Sequence, residues 1–155
     1  MPIIRIETEI DAAPERCFDL ARDVDAHVAS TASTRERAVA GVTTGLLGLG
    51  DEVTFEGVHF GIVQRLTARI TRFDRPHSFV DEMVRGTFHS FTHEHVFISE
   101  GHGTRMIDVF AYRSPAGPVG ALADILFLER YMTRLLRERA SYLRAKLEGR
   151  PSLSG

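Results

Sequence analysis

The sequence predicts an α+β domain in which a curved antiparallel sheet of about seven strands wraps around a long C-terminal helix. Three observations support this prediction. Residues 51–112 contain successive runs of alternating apolar residues joined by short turns, which is typical of an antiparallel meander. Residues 118–147 carry an apolar stripe at helical spacing, and two short helical segments follow the first strand. We expect a single domain over residues 1–149 and a flexible tail at 150–155.

The N-terminal elements follow from alternation and from helix start signals. A strand is predicted over residues 4–10, where apolar and charged residues alternate. Pro14 suits the first turn of a short helix, and a second short helix is predicted over residues 23–31. A second strand is expected over residues 35–43, although its alternation is weak. Residues 45–50 are rich in glycine and leucine, and we predict that they form an apolar flap.

The remaining elements form the meander and the last helix. The alternating runs cover residues 53–59, 62–70, 79–84, 91–97 and 106–112. Pro118 can open the final helix, and Gly149 ends it. Sheet twist over about seven strands curls the sheet around this helix. We therefore expect an apolar cavity between sheet and helix, with residues 45–50 at its mouth.

Composition excludes several classes of protein. The chain has 155 residues and a net charge of −2, and 43% of its residues are hydrophobic. A disordered chain would be less apolar, and without a basic excess nucleic acid is not the expected partner. No apolar stretch approaches the ~20 residues of a transmembrane helix. The N-terminus lacks a secretion signal and Cys17 is the single cysteine, so we expect a cytoplasmic protein.

The most unusual feature is a set of polar residues on apolar strand faces. Its members are Gln64, Asp81, His93, His95 and Asp108. A buried polar group without a partner costs about 1–3 kcal/mol, so each should pair or contact a ligand or water. One interpretation is catalytic. A histidine moves a proton of a bound molecule, and an aspartate fixes the tautomer of that histidine or acts as a base itself. The other is a His–Asp network that holds the strands in register.

A metal site is a weaker interpretation of the same residues. His93 and His95 share a strand face about 6.6–7 Å apart, and Asp81 or Asp108 could complete a set of nitrogen and oxygen ligands. Such spacing arises easily in a chain with seven histidines, so no metal site is expected. Arg139 lies close to the apolar stripe of the last helix. It could pair with either aspartate or keep its charged head in water.

The other histidines and the last helix are less informative. His59 is expected either at the cavity mouth or as a strand cap. Four more histidines are expected at the surface: His27, His77, His89 and His102. Residues 129–150 carry seven basic and three acidic residues, which indicates either an anionic partner or, as we favour, a solvated helix face.

The order of several short motifs resembles a known family. These motifs are Ala12–Phe18, Gly50–Val53, Phe73–Pro76, Phe91–Phe97, Gly103–Met106 and Pro115–Pro118. In this order they are similar to the START-like superfamily, also called SRPBCC or the polyketide cyclase/dehydrase and lipid-transport group. The likeness spans about residues 3–147. It implies a helix-grip fold, the name given to a curved antiparallel sheet wrapped around a C-terminal helix.

The resemblance implies the binding of a small hydrophobic or amphipathic molecule, such as a polyketide, a quinone or a lipid-like molecule. Residues expected to line the cavity are Phe55, His59, Gln64, Leu66, Met83, Phe91, Phe97, Met106, Phe110, Tyr112, Met132, Leu136 and Arg139. One alternative is a cofactor-independent enzyme of cyclase or dehydratase type, with His93, His95, Asp81 and Asp108 as its catalytic set. Another is a module that docks a partner through the basic last helix. Either a monomer or a homodimer fits the sequence.

Overall fold

The computed structural model describes residues 2–114 and 127–149, and within them it confirms the predicted architecture. The strands are β1 (Ile3–Ile10), β2 (Arg37–Gly41), β3 (Glu52–His59), β4 (Ile62–Asp74), β5 (Ser78–Arg85), β6 (Ser90–Glu100) and β7 (Gly103–Arg113). They form one antiparallel sheet in the order β1-β7-β6-β5-β4-β3-β2. The helices are α1 (Pro14–Ala21), α2 (Val24–Ser30), a single 3₁₀ turn (Ala32–Thr34) and α3 (Glu129–Leu147).

Some of the sequence predictions concern residues 115–126 and 150–155. The opening of the predicted last helix at Pro118, its apolar residues Leu122 and Leu126, and the predicted tail at 150–155 lie outside the described residues. Among the residues that are described, none of the helices combines the length and the apolar character needed to cross a bilayer.

The two short helices begin where the sequence predicts. Pro14 occupies the first turn of α1. A backbone N–H at this position would have no partner within the helix, so the lack of one in proline costs no hydrogen bond. The carboxylate of Asp23 caps α2 by accepting a hydrogen bond from the backbone N–H of Ala26 at 3.0 Å. Both helices pack against α3, and α1 also packs against β6 and β7. They therefore hold the last helix over the sheet.

The second strand is shorter than predicted. It begins at Arg37, because Arg35 adopts a left-handed conformation (φ 52°) that ends the 3₁₀ turn. It ends at Gly41, whose φ is 71°. A Cβ at that position would collide with the carbonyl oxygen of Glu52, so only glycine fits there.

Strand β4 bends the sheet around α3. Its pairing with β5 shifts register twice, between Thr67 and Ala68 and between Ile70 and Arg72. Such bulges increase the local twist and bend of a strand. Beyond the bend, the β3–β4 hairpin closes through a two-residue turn at 60–61, and Ile62 is 62% exposed. The predicted inward alternation therefore begins only deeper in the strand, since the hairpin tip lies outside the core.

One end of the space between sheet and helices is solid. Phe18 of α1 is fully buried, and its ring makes edge-on contacts with Phe73, Phe79 and Phe97 at centroid distances of 5.2, 5.2 and 5.4 Å. Edge-to-face pairs of this kind are favourable beyond the apolar area they bury. Since α1 fills this end, any open space is confined to the other.

Candidate functional site

A cavity of about 590 Å³ lies between the sheet, α2 and α3. Its walls are mainly aromatic and aliphatic, and they include Phe55, Leu66, Ala68, Phe91, Phe110 and Leu136. The volume falls in the range of small-molecule sites, and a wall of this character with a few polar groups is typical of such sites.

Most of the residues predicted to line a ligand site do line this cavity. They are Phe55, His59, Gln64, Leu66, Asp81, Phe91, His93, His95, Phe110, Met132, Leu136 and Arg139. Leu47 of the predicted flap also belongs to the lining, whereas Leu46 and Leu49 are exposed. The amide of Gln64 is satisfied locally, because it donates to the His59 carbonyl and accepts from the Thr87 hydroxyl.

Five predicted residues are not part of the lining: Met83, Phe97, Met106, Asp108 and Tyr112. For three of them the reason is their position along the strand. Phe97 packs against Phe18 in the solid end, and Met106 pairs with Phe97 in the sheet. Tyr112 is fully buried against Phe88 and Phe110. Alternation predicts correctly that these side chains point inward, but it does not predict how far the cavity extends.

The polar residues of β5, β6 and β7 converge with Arg139 of α3, and we call these five residues the inner cluster. Its members are Asp81, His93, His95, Asp108 and Arg139. Asp81 pairs with His93 across β5 and β6, and His95 pairs with Asp108 across β6 and β7. The two imidazole rings stack with centroids 3.8 Å apart.

Short contacts connect these residues into one network. His93 Nε2 lies 2.9 Å from Asp108 Oδ1, and His95 Nε2 lies 2.6 Å from Asp81 Oδ1. His95 Nδ1 makes a looser ion-pair contact with Asp108 Oδ1 at 3.4 Å. Asp108 is only 1% exposed, whereas 19% of the Asp81 side chain is exposed and faces the cavity. Asp108 therefore lies on the buried side of the network, and Asp81 lies on the side that faces the cavity.

Arg139 ties α3 to this network. Its Nη1 donates to Asp108 Oδ1 at 3.4 Å, and its Nη2 donates to the backbone carbonyl of Ala21 at 2.9 Å. Ala21 is the last residue of α1, where carbonyl groups lack helical partners and attract cations. Of the two alternatives that the sequence left open for Arg139, the structure therefore shows pairing with an aspartate.

The charge states of the inner cluster follow from these contacts. Burial opposes ionisation of Asp108 and Asp81, but hydrogen bonds from the histidines outweigh it and lower both pKa values. Burial also opposes protonation of His95, but its contacts with both aspartates raise its pKa. For His93, burial and the neighbouring charge of His95 prevail and lower the pKa. At pH 6.5, the ordinary histidine pKa, these shifts favour two carboxylates, an imidazolium on His95 and the guanidinium of Arg139, and these charges balance.

The tautomer of neutral His93 follows from its partner. Asp108 is ionised, so its oxygen can only accept, and His93 Nε2 must carry the proton that it donates. The lone pair of neutral His93 is consequently on Nδ1, which lies 4.0 Å from Asp81 Oδ1. A neutral imidazole oriented by a buried carboxylate is the arrangement of a general base.

The inner cluster also offers a set of candidate metal ligands. One ligand atom each of Asp81, His93 and His95 lies within 4.8 Å of the others. However, Asp81 Oδ1 and His95 Nε2 are at hydrogen-bond distance, and the cation of Arg139 contributes to the low pKa of Asp81. A proton-sharing network explains these contacts better than a site for a divalent cation, which would have to displace the proton.

A second group of polar residues lines the cavity away from the inner cluster, and we call it the outer cluster. It consists of His27, Glu36, His59 and Tyr131. His59 Nδ1 lies 2.6 Å from the Tyr131 hydroxyl, and His27 Nε2 lies 3.8 Å from Glu36 Oε1. Burial opposes ionisation of Glu36, but His27 outweighs it and lowers the Glu36 pKa. Burial raises the pKa of Tyr131.

The prediction that His27 lies at the surface is wrong. His27 lines the cavity and stacks on Phe55 with ring centroids 4.1 Å apart. Its position three residues after the buried Val24, on the same face of α2, is the sequence signal for this location. Glu36 carries no such signal, because it follows a 3₁₀ turn and precedes a strand with weak alternation.

The basic residues of α3 are partly neutralised within the helix. Arg134 lies 3.9 Å from Glu138, and Arg144 lies 3.4 Å from Glu148, each one turn further along. Pairs at this spacing are common on exposed helices. They favour the interpretation of α3 as a solvated face over that of a docking surface.

Opposite pKa shifts in the two histidines predict a stability maximum near pH 6.5, the ordinary histidine pKa. The raised pKa of His95 contributes stability that is complete below about pH 6.5 and is lost as the pH rises through its folded pKa. The lowered pKa of His93 contributes stability that is complete above about pH 6.5 and is lost as the pH falls through its folded pKa. Urea unfolding between pH 5 and 9 measures both limbs.

His95→Gln should remove the decline on the alkaline side, since glutamine does not titrate. The exposed His102 serves as the control, and His102→Gln should leave the profile unchanged. A wild-type profile that is flat above pH 6.5 would contradict the assignment of the imidazolium to His95.

Comparison with known proteins identifies one family. The model of the family described as polyketide cyclase/dehydrase and lipid transport matches residues 1–148. No curated protein matches the chain.

Solved structures show the same fold at low sequence identity. A Thermus thermophilus protein is 23% identical, with a TM-score of 0.73 over 94% of this chain and 99% of that one. A Mycobacterium smegmatis protein is 22% identical, with a TM-score of 0.68 over 95% and 91%. The ginseng major latex-like protein of Panax ginseng is 14% identical, with a TM-score of 0.65 over 94% and 97%.

Proposed function

Because the chain belongs to the polyketide cyclase/dehydrase and lipid-transport family, we propose that it binds a small hydrophobic or amphipathic molecule in the cavity between sheet and α3. The observation that carries this proposal is the cavity of about 590 Å³ with aromatic and aliphatic walls. Burial of apolar ligand surface against such walls supplies the driving force, at about 25 cal/mol per Å². Polyketides, quinones and lipid-like molecules all have a largely apolar surface that could be buried in this way.

The inner cluster gives the ligand its orientation. Asp81, His93, His95 and Arg139 line the cavity, and the carboxylate of Asp108 behind them brings the net charge of the inner cluster to zero. A carbonyl or hydroxyl group of the ligand can exchange hydrogen bonds with these residues without burying an unpaired charge. A purely apolar ligand would leave the exposed oxygen of Asp81 without such a partner.

A cavity-filling variant tests this proposal. Ala68 lies in the cavity wall on β4 and is 7% exposed. Ala68→Phe should place a ring in the cavity and weaken binding of the fluorescent probe anilinonaphthalene sulfonate by about tenfold or more, which is at least about 1.4 kcal/mol. Fluorescence titration measures the dissociation constant, and circular dichroism checks the fold. If the phenylalanine variant does not fold, Ala68→Leu fills part of the same volume.

The matched control places the same ring on the other face of the strand. Thr71 is exposed on β4, and Thr71→Phe should leave probe affinity within about twofold of the wild type. Equal affinities of the wild type and a folded Ala68→Phe variant would show that the probe binds elsewhere and would overturn the proposal.

One observation favours a second candidate function, proton transfer on the bound molecule. His93 is neutral, its Nε2 donates to Asp108, and its Nδ1 carries the lone pair beside Asp81. His95 supplies a neighbouring imidazolium that stabilises developing negative charge. A base and a cation side by side suit the removal of a proton next to a carbonyl group, which is the first step of carbonyl condensation and of dehydration. The reaction needs no cofactor.

A further inference from the structure

The outer cluster has unsatisfied hydrogen-bonding capacity inside the cavity. His27 Nε2 is buried without a hydrogen-bond partner among the described residues, and its nearest carboxylate oxygen, Glu36 Oε1, is 3.8 Å away. Only 12% of the Glu36 side chain is exposed. Two polar atoms this far apart can both reach a third atom placed between them at about 2.8 Å, the ordinary hydrogen-bond distance. An orphaned donor or acceptor of this kind is costly unless a ligand or water completes it.

The partners of the outer cluster show what chemistry fits there. Glu36 is held as a carboxylate, so it can only accept hydrogen bonds. Its Oε2 already accepts one from the Thr34 hydroxyl at 3.3 Å, and Oε1 is the oxygen that faces His27. Gly57 lies directly behind it, where a Cβ would collide with Glu36 Cγ, so the carboxylate position depends on the absence of a side chain there. His59 and the Tyr131 hydroxyl bond to each other beside it. A ligand group at this end must therefore donate a hydrogen bond, as a hydroxyl or an amine does.

The two clusters lie at different ends of the cavity. Tyr131 and Arg139 both belong to α3 and are eight residues apart, which is about 12 Å along the helix axis. On the sheet, His59 pairs with Ile62, whereas Asp81 pairs with Ile70. The cavity wall between the clusters is apolar and includes Phe55, Leu66, Phe91 and Leu136.

We propose that the outer cluster is a second polar subsite, and that the ligand is an elongated apolar molecule with a hydroxyl or amine at the outer end and a carbonyl or hydroxyl at the inner end. This inference rests on the proposed function and narrows its ligand class. A lipid with a single polar group can form hydrogen bonds with only one of the two clusters. It leaves the polar groups of the other cluster buried beside hydrocarbon.

Two probes that differ in one hydroxyl group test the inference. Decanediol, with hydroxyl groups at both ends, and decanol, with one, are titrated as competitors of anilinonaphthalene sulfonate. The quantity compared between variants is the ratio of the decanol to the decanediol dissociation constant. Glu36→Gln should lower this ratio about tenfold and leave decanol affinity within about twofold, since only decanediol loses a charge-assisted hydrogen bond.

Further variants separate the possible failures. Tyr131→Phe removes the second polar group of the same end and should also lower the ratio. Glu52→Gln removes a carboxylate that pairs with Arg69 outside the cavity lining, and it should leave the ratio unchanged. An unchanged ratio in both Glu36→Gln and Tyr131→Phe, with decanol still bound, would overturn the subsite and leave the proposed function intact. Failure of the wild type to bind either probe would overturn both.

Discussion

Asp108→Ala is expected to lower the free energy of unfolding by about 3–5 kcal/mol at neutral pH, the cost of removing one partner from a buried ion pair. Asp108 is 1% exposed and lies within 3.4 Å of three cationic or donor groups, on His93, His95 and Arg139. Without it, Asp81 is the one carboxylate of the inner cluster that remains to balance the guanidinium of Arg139 and the imidazolium of His95. Urea unfolding monitored by circular dichroism measures the change.

The control for this variant lies on the opposite face of the same sheet. Glu94 of β6 is exposed between the two histidines in sequence, and Glu94→Gln should change stability by less than about 0.5 kcal/mol. If Asp108→Ala does not fold, Asp108→Asn keeps the shape and one acceptor and should show a smaller loss. A loss below about 1 kcal/mol for Asp108→Ala would mean that the buried charges find other partners.

The sheet could be predicted from the sequence because its signal is local. In β3, Val53 and Phe55 are buried, as their parity predicts, and in β6 the parity of Phe91 and Phe97 is likewise correct. A one-residue error in register would turn every side chain to the wrong face, so alternation fixes which face is inward. Short turns between the runs then leave an antiparallel meander as the simplest topology.

The limits of the cavity could not be predicted, because they depend on contacts distant in sequence. Phe91 and Phe97 share one face of β6, yet Phe91 lines the cavity and Phe97 does not. The difference arises from Phe18 of α1, which fills the space over Phe97. Alternation contains no information on where a helix packs along a strand.

The sequence predicts part of the cavity lining, but it does not predict which polar residues contact one another. The His and Asp residues of β5–β7 were found by their parity, and the pairing of His93 with Asp108 requires the register between β6 and β7. Arg139 was found as a polar interruption of an apolar stripe. Glu36 was missed because its environment is assembled from α2, β3 and α3, whose residues are far apart in the sequence.

The inner cluster could serve to hold the strands in register or to transfer protons, and these two roles require different features. A network whose only role is to hold strands together needs a hydrogen-bond partner for its buried polar atoms, and Asp108 is that partner for His93 Nε2. It does not need a neutral histidine with its lone pair beside a cavity, nor an aspartate with 19% of its side chain exposed there. The first of these features, a neutral histidine with its lone pair beside the cavity, is what proton transfer requires.

His93→Gln is therefore expected to reduce proton transfer on a bound ketone by about 10²–10⁴-fold, the usual contribution of a general base. The probe is undecanone in deuterated water. His93 Nδ1 takes a proton from the carbon next to the carbonyl group, the electrons of that C–H bond move to the carbonyl oxygen, and a deuteron from solvent replaces the proton. Mass spectrometry measures deuterium uptake, and no oxidant or cofactor takes part.

Binding and chemistry are separated by measuring both in the same variant. Glutamine at position 93 can still donate to Asp108, so the affinity for undecanone should remain within about threefold of the wild type while exchange is lost. His89, an exposed histidine outside the cavity lining, is the control, and His89→Gln should exchange at the wild-type rate. If the wild type binds undecanone without raising exchange above that in buffer, proton transfer is excluded for this ketone and the inner cluster acts only to orient the ligand.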